Sequence, residues 1–240
     1  MYRGKKLIAI IPACDEEEKI ADVVERIDAH LVDTILVVDD GSTDATADVA
    51  RRKGATVIST GKRTGVGAAI RRGMQFARDA EFEVGVILAG NNKDEPDEIP
   101  KLVDPICDDR ADLVIGSRYL PGGSSGGDMP FYRKLATRLH PWLMGLFCGK
   151  PLSETTNGFR AFRLSLLDDQ RLRLDQRWLD TYGLEVYFLW KVITLGYQHA
   201  EVPCTKIYPP RSLGITKMRP IIDWWSILSP IFLLGLKIRN

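Results

Sequence analysis

The sequence predicts an α/β fold with a mostly parallel central sheet that is flanked by helices. Over the first 120 residues, short β-branched runs alternate with segments of helical periodicity, which is the pattern of βαβ units. The 240 residues are 45% hydrophobic and 27% charged, so the chain can bury the core of one globular domain. We expect this domain to span 1–218 and an apolar, basic segment to follow it at 219–240.

Five strands are predicted, and each is a short run rich in Val, Ile, Leu or Thr. They are LIAII at 7–11, TILVV at 34–38, ATVIS at 55–59, VGVIL at 84–88 and DLVIG at 112–116. Polar or glycine-rich residues follow each run. Because ligands of parallel sheets bind beyond the carboxyl ends of the strands, these following segments are the expected site loops.

Helices are predicted where apolar residues recur at helical spacing between and after the strands. Thr43 and Asp44 are suited to cap the second helix, because their side-chain oxygens can accept backbone N–H bonds. The segment PGGSSGGD at 121–128 contains too much glycine for a rigid element, so we expect a mobile loop there. The predicted helices span 18–31, 44–53, 67–78, 97–107, 133–147 and 184–195.

The charge and the cysteines of the chain exclude several classes of protein. The net charge is +1, and no nucleic-acid partner is expected, although 201–240 carries six Lys or Arg against two acids. The four cysteines lack the pairs of a zinc site and the density of a disulfide scaffold, which favours reduced thiols in a cytosolic protein. The apolar run near the N-terminus is followed by DEEE, so it predicts a strand and not a signal peptide.

Two motifs that follow strands could bind a nucleotide. VVDDGSTD at 37–44 places the adjacent carboxylates of Asp39 and Asp40 at a strand end, where they could accept bonds from base N–H or ribose hydroxyl groups. The alternative is a solvated turn. GKRTGVGAAIRRG, which contains Gly65, is glycine-rich and basic but has neither P-loop nor dinucleotide-binding spacing. Its alternative is a helix entry whose glycines allow close packing on the sheet.

The segment VILAGNNKDEPDEIP at 86–100 begins as a strand that would be expected to deliver an acidic, metal-binding motif. Its tip reads AGNNK instead, and the first carboxylates, those of Asp94 and Glu95, come later. A divalent cation prefers oxygen ligands that include carboxylates, so this tip is an unusual place for a metal.

Several motifs resemble, in order along the chain, those of family 2 glycosyltransferases, and within that family those of polyprenyl- or dolichyl-phosphate sugar synthases. The resemblance implies a GT-A fold, a nucleotide-diphospho-sugar site over a Rossmann-like sheet, inversion at the anomeric carbon and a polyprenyl phosphate acceptor. The motifs are IPACDEE (11–17), VVDDGSTD (37–44), GVGAAIRRG (65–73), GSRYLPGG (116–123), the R-x-x-x-T of Arg133 and Thr137, TTNGFRAF (155–162), AEVP (200–203) and R-x-x-G-x-T-K (211–217).

The resemblance also implies roles for individual residues. Acidic residues would hold the base and ribose of the donor, and arginines would bind the acceptor phosphate, whose oxygens suit their planar forks. A late basic motif would fold over the donor diphosphate. By this likeness the donor nucleotide is bound by Pro12, Asp15, Glu16, Asp39, Asp40 and Gly65, the acceptor phosphate by Arg118, Arg133 and Thr137, and the donor diphosphate by Arg211 and Lys217.

The likeness fails at the metal site. The two metal-binding Asp positions of the family fall on Ala89 and Asn91, and a third ligand position falls on Lys93. We therefore expect no metal cofactor, and we hypothesise that Lys93 takes over the electrostatic role of the metal at the leaving nucleoside diphosphate. The expected catalytic residues are Lys93, Asn91, Arg211 and Lys217.

Alternatives stay open for both the metal and the acceptor. Asp94 and Glu95 could hold Mg²⁺ or Mn²⁺ after a shift of their loop, or the chain could bind a nucleotide sugar without catalysis and recruit a partner at the membrane. A polyprenyl phosphate is already ionised near neutral pH and needs no strong base. A saccharide or other hydroxyl acceptor would need a carboxylate base.

The apolar segment IIDWWSILSPIFLLGL at 221–236 predicts contact with a membrane. It is shorter than the roughly 20 residues that cross a bilayer, and Lys237 and Arg239 follow it. We expect a helix in the interface at the cytoplasmic face of the membrane, with these cations near anionic headgroups. The alternative is a helix packed against the core or a subunit partner, and the oligomeric state is left open.

Overall fold

A seven-stranded sheet forms the centre of the chain, and the computed structural model describes residues 1–127, 129, 131–208 and 222–239. Two further strands, β6 and β9, form a separate pair. The strands are β1 (Leu7–Ala13), β2 (Thr34–Asp39), β3 (Thr56–Ser59), β4 (Val84–Ile87), β5 (Leu113–Ser117), β6 (Ser124–Gly127), β7 (Arg160–Arg163), β8 (His199–Pro203) and β9 (Thr205–Tyr208).

The strand order of the sheet is β3-β2-β1-β4-β7-β5-β8. Strand β7 runs antiparallel to both of its neighbours, and the other four pairings are parallel. The carboxyl ends of β1 to β4 therefore meet at one edge of the sheet, where a ligand site is expected.

Helices cover both faces of this sheet, because successive residues of a strand point to opposite sides. Ile8 and Ile10 of β1 lie in an apolar cluster with residues of the third, fifth and sixth helices, whereas Ala9 and Ile11 lie in a second cluster with residues of the first, second and fourth. The helices are α1 (Ile20–Glu25), α2 (Thr46–Arg52), α3 (Val66–Asp79), α4 (Ile99–Cys107), α5 (Phe131–Cys148), α6 (Gly183–Thr194) and α7 (Ile222–Gly235).

The predicted fold class is confirmed, and the five predicted strands lie within two residues of their predicted ends. Burial on both faces explains why β1, β4 and β5 read as near-continuous apolar runs. The first predicted helix, 18–31, is too long, because α1 ends at Glu25. Further along that segment, Asp28 Oδ1 accepts the His30 N–H at 2.8 Å, a local bond that competes with helix formation.

The predicted cap of α2 is wrong in detail. The cap position is Ala45, which makes no side-chain cap bond. The carboxylate of Asp44 accepts the N–H of Thr46, the first helical residue, at 3.0 Å. Thr43 instead donates its N–H to Asp15 at 2.7 Å, because the loop after β1 lies against it.

The predicted mobile loop at 121–128 is also wrong for 124–127, which form β6. This strand pairs in parallel with β9, and Gly127 lies opposite Tyr208. Gly127 has a φ of 76°, and a Cβ there would lie 1.9 Å from the Tyr208 carbonyl oxygen, so glycine is needed for the strands to approach. Backbone pairing requires no side chain, which is why this glycine-rich segment forms a strand.

Helix α7 packs against α5 and α6 with Ile231 and Leu234, whereas Trp225 is exposed. For the face of α7 that carries these two residues, the packing agrees with the alternative prediction of a helix packed against the core. Its contact with a membrane stays a prediction. Among the helices of the described residues, none is both long and apolar enough to span a bilayer.

Candidate active site

The loops that follow β1 and β2 are tied together at the carboxyl edge of the sheet. Asp15, with a left-handed φ of 51°, accepts the Thr43 N–H, and its own N–H donates to Ser42 Oγ at 2.9 Å. Aspartate tolerates this backbone region better than most residues. The Glu16 N–H donates to Thr46 Oγ1 at 2.7 Å. Asp15 and Glu16 thus lie beside the second loop, and their contact with a donor stays a prediction.

Asp39 and Asp40 are buried at the end of β2. Asp39 accepts the Ser59 hydroxyl at 2.7 Å, which links β2 to β3. Asp40 accepts the Thr64 N–H at 2.7 Å and the Gly65 N–H at 2.8 Å. The structure therefore brings the two predicted carboxylates and Gly65 together, and their contact with base and ribose stays a prediction.

Gly65 is also required by its own backbone. It has a φ of 107°, and a Cβ there would lie 2.3 Å from the carbonyl oxygen of Asp180. Gly65 therefore allows close packing, as the alternative interpretation of this motif predicted. It packs against the segment before α6, however, and not against the sheet.

The segment after β4 carries Lys93 and is held beside β1, where the Pro12 carbonyl oxygen accepts the Gly90 N–H at 3.3 Å. Lys93 Nζ lies 5.7 Å from the centre of the Tyr208 ring, and the Arg133 guanidinium lies 5.5 Å from the same ring. Both distances allow a cation–π contact.

A third cation, Lys206, lies close enough to act on the charge of Lys93, and we refer to Lys93, Arg133 and Lys206 as the cationic cluster. Burial, together with the charges of Arg133 and Lys206, lowers the pKa of Lys93 from 10.5 to about 8. Lys19 acts in the same direction, whereas Glu16 opposes it. A buried ammonium among like charges gains stability from an anion, so the cluster suits a phosphate ligand.

Lys206 differs from the other two cations because a carboxylate already neutralises it. Its Nζ forms an ion pair with Asp94 and donates to Asn157 Oδ1 at 3.0 Å. Asp94 also accepts the Ala89 N–H at 3.1 Å, which fixes the segment after β4. The positive charge available to a ligand therefore comes mainly from Lys93 and Arg133.

The side chains after β4 do not fit a divalent cation. Asn91 offers one amide oxygen, which is buried without a hydrogen-bond partner among the described residues, and Lys93 offers a positive charge. Asp94 and Glu95 each form an ion pair with a lysine or an arginine, so both pairs would have to break before these carboxylates could hold a metal. Across the described part of the chain, no three His, Cys, Asp or Glu side chains are grouped to bind one.

Arg118 lies behind the cationic cluster, with a side chain that is 2% exposed. It donates to Glu154 at 2.7 Å through Nε, to Thr156 Oγ1 at 2.9 Å and to the Tyr208 hydroxyl at 2.7 Å. Burial alone would lower the pKa of Arg118, but the Glu154 carboxylate, together with Tyr208 and Tyr119, raises it above its ordinary value. Arg118 therefore holds Tyr208 in place, and its contact with an acceptor phosphate stays a prediction.

The remaining predicted phosphate ligands lie on α5 or near the C-terminus. Thr137 is buried, and its hydroxyl donates to the Arg133 carbonyl oxygen at 2.8 Å and bonds to the Tyr119 hydroxyl at 2.5 Å. Arg211 and Lys217 lie outside the described residues. The roles of all four predicted ligands, Thr137, Arg133, Arg211 and Lys217, stay predictions.

Glu154, Lys206 and Tyr208 belong to the site but were not predicted to do so. Each depends on a side-chain contact between residues far apart in sequence, with separations of 36, 112 and 90 positions. No local periodicity reports such contacts. For Glu154 the available signal is its place directly before the TTNGFRAF motif.

The sequence profile of the family described as "Glycosyl transferase family 2" matches residues 8–170, more than half of the chain. A polyprenol monophosphomannose synthase of Mycolicibacterium smegmatis is 30% identical over 89% of this chain and 81% of its own length. An undecaprenyl-phosphate mannosyltransferase of Micrococcus luteus is 32% identical over 89% of this chain and 87% of its own length. A dolichyl-phosphate hexose transferase of Haloferax volcanii is 31% identical over 91% of this chain and 89% of its own length.

Solved structures share the fold over almost the whole chain. Glucosyl-3-phosphoglycerate synthase from Mycobacterium tuberculosis, in complex with Mn²⁺, UDP and phosphoglyceric acid, superposes with a TM-score of 0.70. The comparison covers 99% of this chain and 80% of that one at 21% identity. The expected GT-A-like arrangement of sheet and helices is therefore confirmed, and at this identity the likeness concerns the fold alone.

Proposed function

The chain belongs to glycosyl transferase family 2 and is a glycosyltransferase, and we propose that it moves a sugar from a nucleotide-diphosphate donor to a polyprenyl phosphate. Relatives that act on polyprenol, undecaprenyl or dolichyl phosphates, as their names state, support this acceptor. The observation that carries the proposal is the cationic cluster, because Arg133 belongs to a helix that also exposes an apolar face.

That apolar face belongs to α5 and consists of Phe131, Leu135, Leu139, Trp142 and Leu146. These side chains are between 50% and 79% exposed and recur at spacings of four, four, three and four, so they share one side of the helix. No Asp or Glu occurs between 131 and 153, whereas four Lys or Arg do. A basic helix with Trp, Phe and Leu on one side is suited to the surface of a membrane.

The placement of the lipid contact on α5 refines the expectation for 219–240. Helix α7 buries Ile231 and Leu234 in the core, while α5 presents the longer exposed apolar face. Since α5 begins beside Tyr208, a polyprenyl chain lying along the membrane could bring its phosphate to Arg133. This arrangement supports a lipid phosphate over a soluble hydroxyl acceptor.

The proposed reaction is one direct displacement. An oxygen of the ionised acceptor phosphate attacks the anomeric carbon, a new C–O bond forms, and the bond to the nucleoside diphosphate breaks with its electron pair, which inverts the anomeric centre. The second pKa of a phosphate monoester is about 6, so no protein base has to remove a proton. Binding in the correct geometry and neutralisation of the leaving diphosphate would supply most of the rate.

We infer that Lys93 supplies this neutralisation without a divalent ion. Its ammonium lies where the family places a metal ligand, and the nearby carboxylate of Asp94 is engaged by Lys206. Asn91, two positions before Lys93, has a buried amide oxygen without a hydrogen-bond partner among the described residues, and this oxygen can accept a hydrogen bond from a hydroxyl group of the donor. Arg211 and Lys217 remain proposed contributors at the same diphosphate.

A transfer assay tests the proposed function. A panel of nucleotide sugars is offered with a short polyprenyl phosphate, in excess chelator and again with added Mg²⁺ or Mn²⁺. We expect transfer to the lipid phosphate from at least one donor in chelator. Transfer to hydroxyl acceptors but not to lipid phosphates would contradict the acceptor, and donor binding without transfer to any acceptor would indicate a silent binding protein.

The pH profile provides a second prediction. The pKa of Lys93 is lowered to about 8, so its ammonium is present below that pH and is lost as the pH rises through it. We expect kcat/KM for the donor to fall as the pH rises through about 8, because this ratio reports the free enzyme. The matched variant is Lys93→Arg, whose guanidinium stays charged and should move the fall to higher pH. A parent profile that stays flat well above pH 8 would contradict the role of Lys93.

A further inference from the structure

A cavity of about 770 Å³ opens beside the apolar face of α5. It lies between α5 and the segments 118–123 and 149–153, and we refer to it as the α5 pocket. Trp142 and Leu146 belong both to its wall and to the apolar face. Any surface that covers this face of α5 must therefore also cover the mouth of the pocket.

The α5 pocket carries uncompensated positive charge. Three cations line it: Arg118 is paired with Glu154, whereas Arg138 and Lys150 are exposed. No Asp or Glu is among the lining residues. Two described carboxylates beside the segment 149–153 are committed elsewhere, since Glu154 binds Arg118 and Glu201 accepts the backbone N–H groups of Ser153 and Glu154.

Arg138 is also held in place. Its guanidinium lies 5.4 Å from the centre of the Tyr119 ring, and the Tyr119 hydroxyl bonds to Thr137 at 2.5 Å. A guanidinium stacked on an aromatic ring keeps its edge donors free, and those donors match the oxygens of a phosphate. The pocket therefore offers the fixed guanidinium of Arg138 and, at its rim, a second cation, Lys150.

This pocket is separate from the cationic cluster. Arg138 follows Arg133 by five positions, which turns its side chain by about 140° around a helix of 3.6 residues per turn. Arg133 faces Tyr208, whereas Arg138 faces the α5 pocket. One helix thus carries two phosphate-suited sites on different sides, with the apolar face next to the second.

We propose that the α5 pocket binds the phosphate headgroup of an anionic phospholipid. This inference rests on the proposed function, because it requires the apolar face of α5 to meet a membrane. With that face in the interface, Arg138 and Lys150 lie at the level of the headgroups, where cations attract anionic lipids. The cavity has room for more than a phosphate, so it can hold the adjoining glycerol group as well. Lipid binding there would fix the rotation of α5 on the bilayer.

Vesicle binding tests the inference. Co-sedimentation of the full chain is measured with vesicles of phosphatidylcholine alone and of phosphatidylcholine mixed with phosphatidylglycerol. We expect tighter binding to the anionic vesicles. Arg138→Glu/Lys150→Glu should remove this preference and weaken binding to anionic vesicles by at least tenfold, since each cation near such a surface strengthens binding roughly fivefold.

A control variant with the same change of net charge distinguishes binding at the α5 pocket from a general electrostatic attraction to anionic vesicles. Arg52→Glu/Arg110→Glu makes the same change of net charge on exposed residues that adjoin α2 and α4, on the opposite face of the sheet. This control should keep the preference for anionic vesicles. Equal losses in both double variants would overturn the pocket, as would a parent that binds both vesicle types equally well.

Failure of the inference can be told from failure of the proposed function. Trp142→Ser/Leu146→Ser should weaken binding to both vesicle types, because these side chains belong to the apolar face. If the parent binds neither vesicle, the membrane contact itself is wrong. If Arg138→Gln/Lys150→Gln binds anionic vesicles like the parent while Trp142→Ser/Leu146→Ser does not, membrane contact stands and the headgroup site is overturned.

Discussion

Replacing Lys93 by alanine should lower kcat by about 10²- to 10³-fold, the loss seen when one group that stabilises developing charge is removed. The leaving diphosphate gains charge as its bond to the sugar breaks, and Lys93, unlike Lys206, forms no ion pair with a carboxylate among the described residues. The unfolding temperature should not fall, because burial and the charges of Arg133 and Lys206 already disfavour the Lys93 ammonium. Steady-state transfer in excess chelator, with a thermal melt of the same samples, measures both effects.

Two comparisons make the Lys93 result decisive. Lys101→Ala removes an exposed lysine on α4 and should leave kcat unchanged. Lys93→Arg keeps a positive charge and should retain more activity than Lys93→Ala. An enzyme that requires added Mg²⁺ or Mn²⁺ and tolerates Lys93→Ala would show that a metal neutralises the diphosphate, which would make the lysine hypothesis wrong.

The sheet could be predicted because its strands carry their own signal. A parallel strand covered on both faces must be apolar at successive positions, and Leu7–Ala13 and Val84–Ile87 are. The pairing of Ser124–Gly127 with Thr205–Tyr208 could not be predicted, because it depends on backbone groups about 80 positions apart. Arg160–Arg163 enters the sheet antiparallel between two strands, and an arginine at each of its ends interrupts the apolar run that marks the predicted strands.

In the candidate site, too, features that depend on local structure could be predicted, whereas contacts between distant segments could not. Asp39, Asp40 and Gly65 could be predicted because strand ends and turns place them within the reach of short loops. The proximity of Lys206 and Tyr208 to Lys93 could not be predicted, because both residues belong to β9, more than 100 positions further along the chain. The resemblance predicts Arg118 as a phosphate ligand, but its bonds to Glu154 and Tyr208 could not be predicted, because both partners are distant in sequence.

Glu154→Ala should reduce the free energy of unfolding by about 3–5 kcal/mol, the usual cost of leaving one member of a buried ion pair without its partner. Arg118 is 2% exposed and Glu154 fully buried, so water cannot replace the lost carboxylate. For a chain of this size, the melting temperature should fall by roughly 6–20 °C. Asp48→Ala is the matched control, because its pair with Arg51 is exposed and should contribute about 0.5 kcal/mol or less.

Removing both charges separates the stability of this pair from its effect on the site. Arg118→Met/Glu154→Gln leaves no unpaired charge, and the new amide oxygen can still accept the backbone N–H groups of Thr155 and Thr156. We expect most of the lost stability to return, because replacing a buried pair as a whole is often neutral. Transfer activity should stay low, since the Tyr208 hydroxyl loses its donor and the ring between Lys93 and Arg133 is no longer held. Recovery of both properties would mean that the ion pair stabilises the fold without positioning Tyr208. A Glu154→Ala melt as mild as that of Asp48→Ala would mean that the pair does not stabilise the fold.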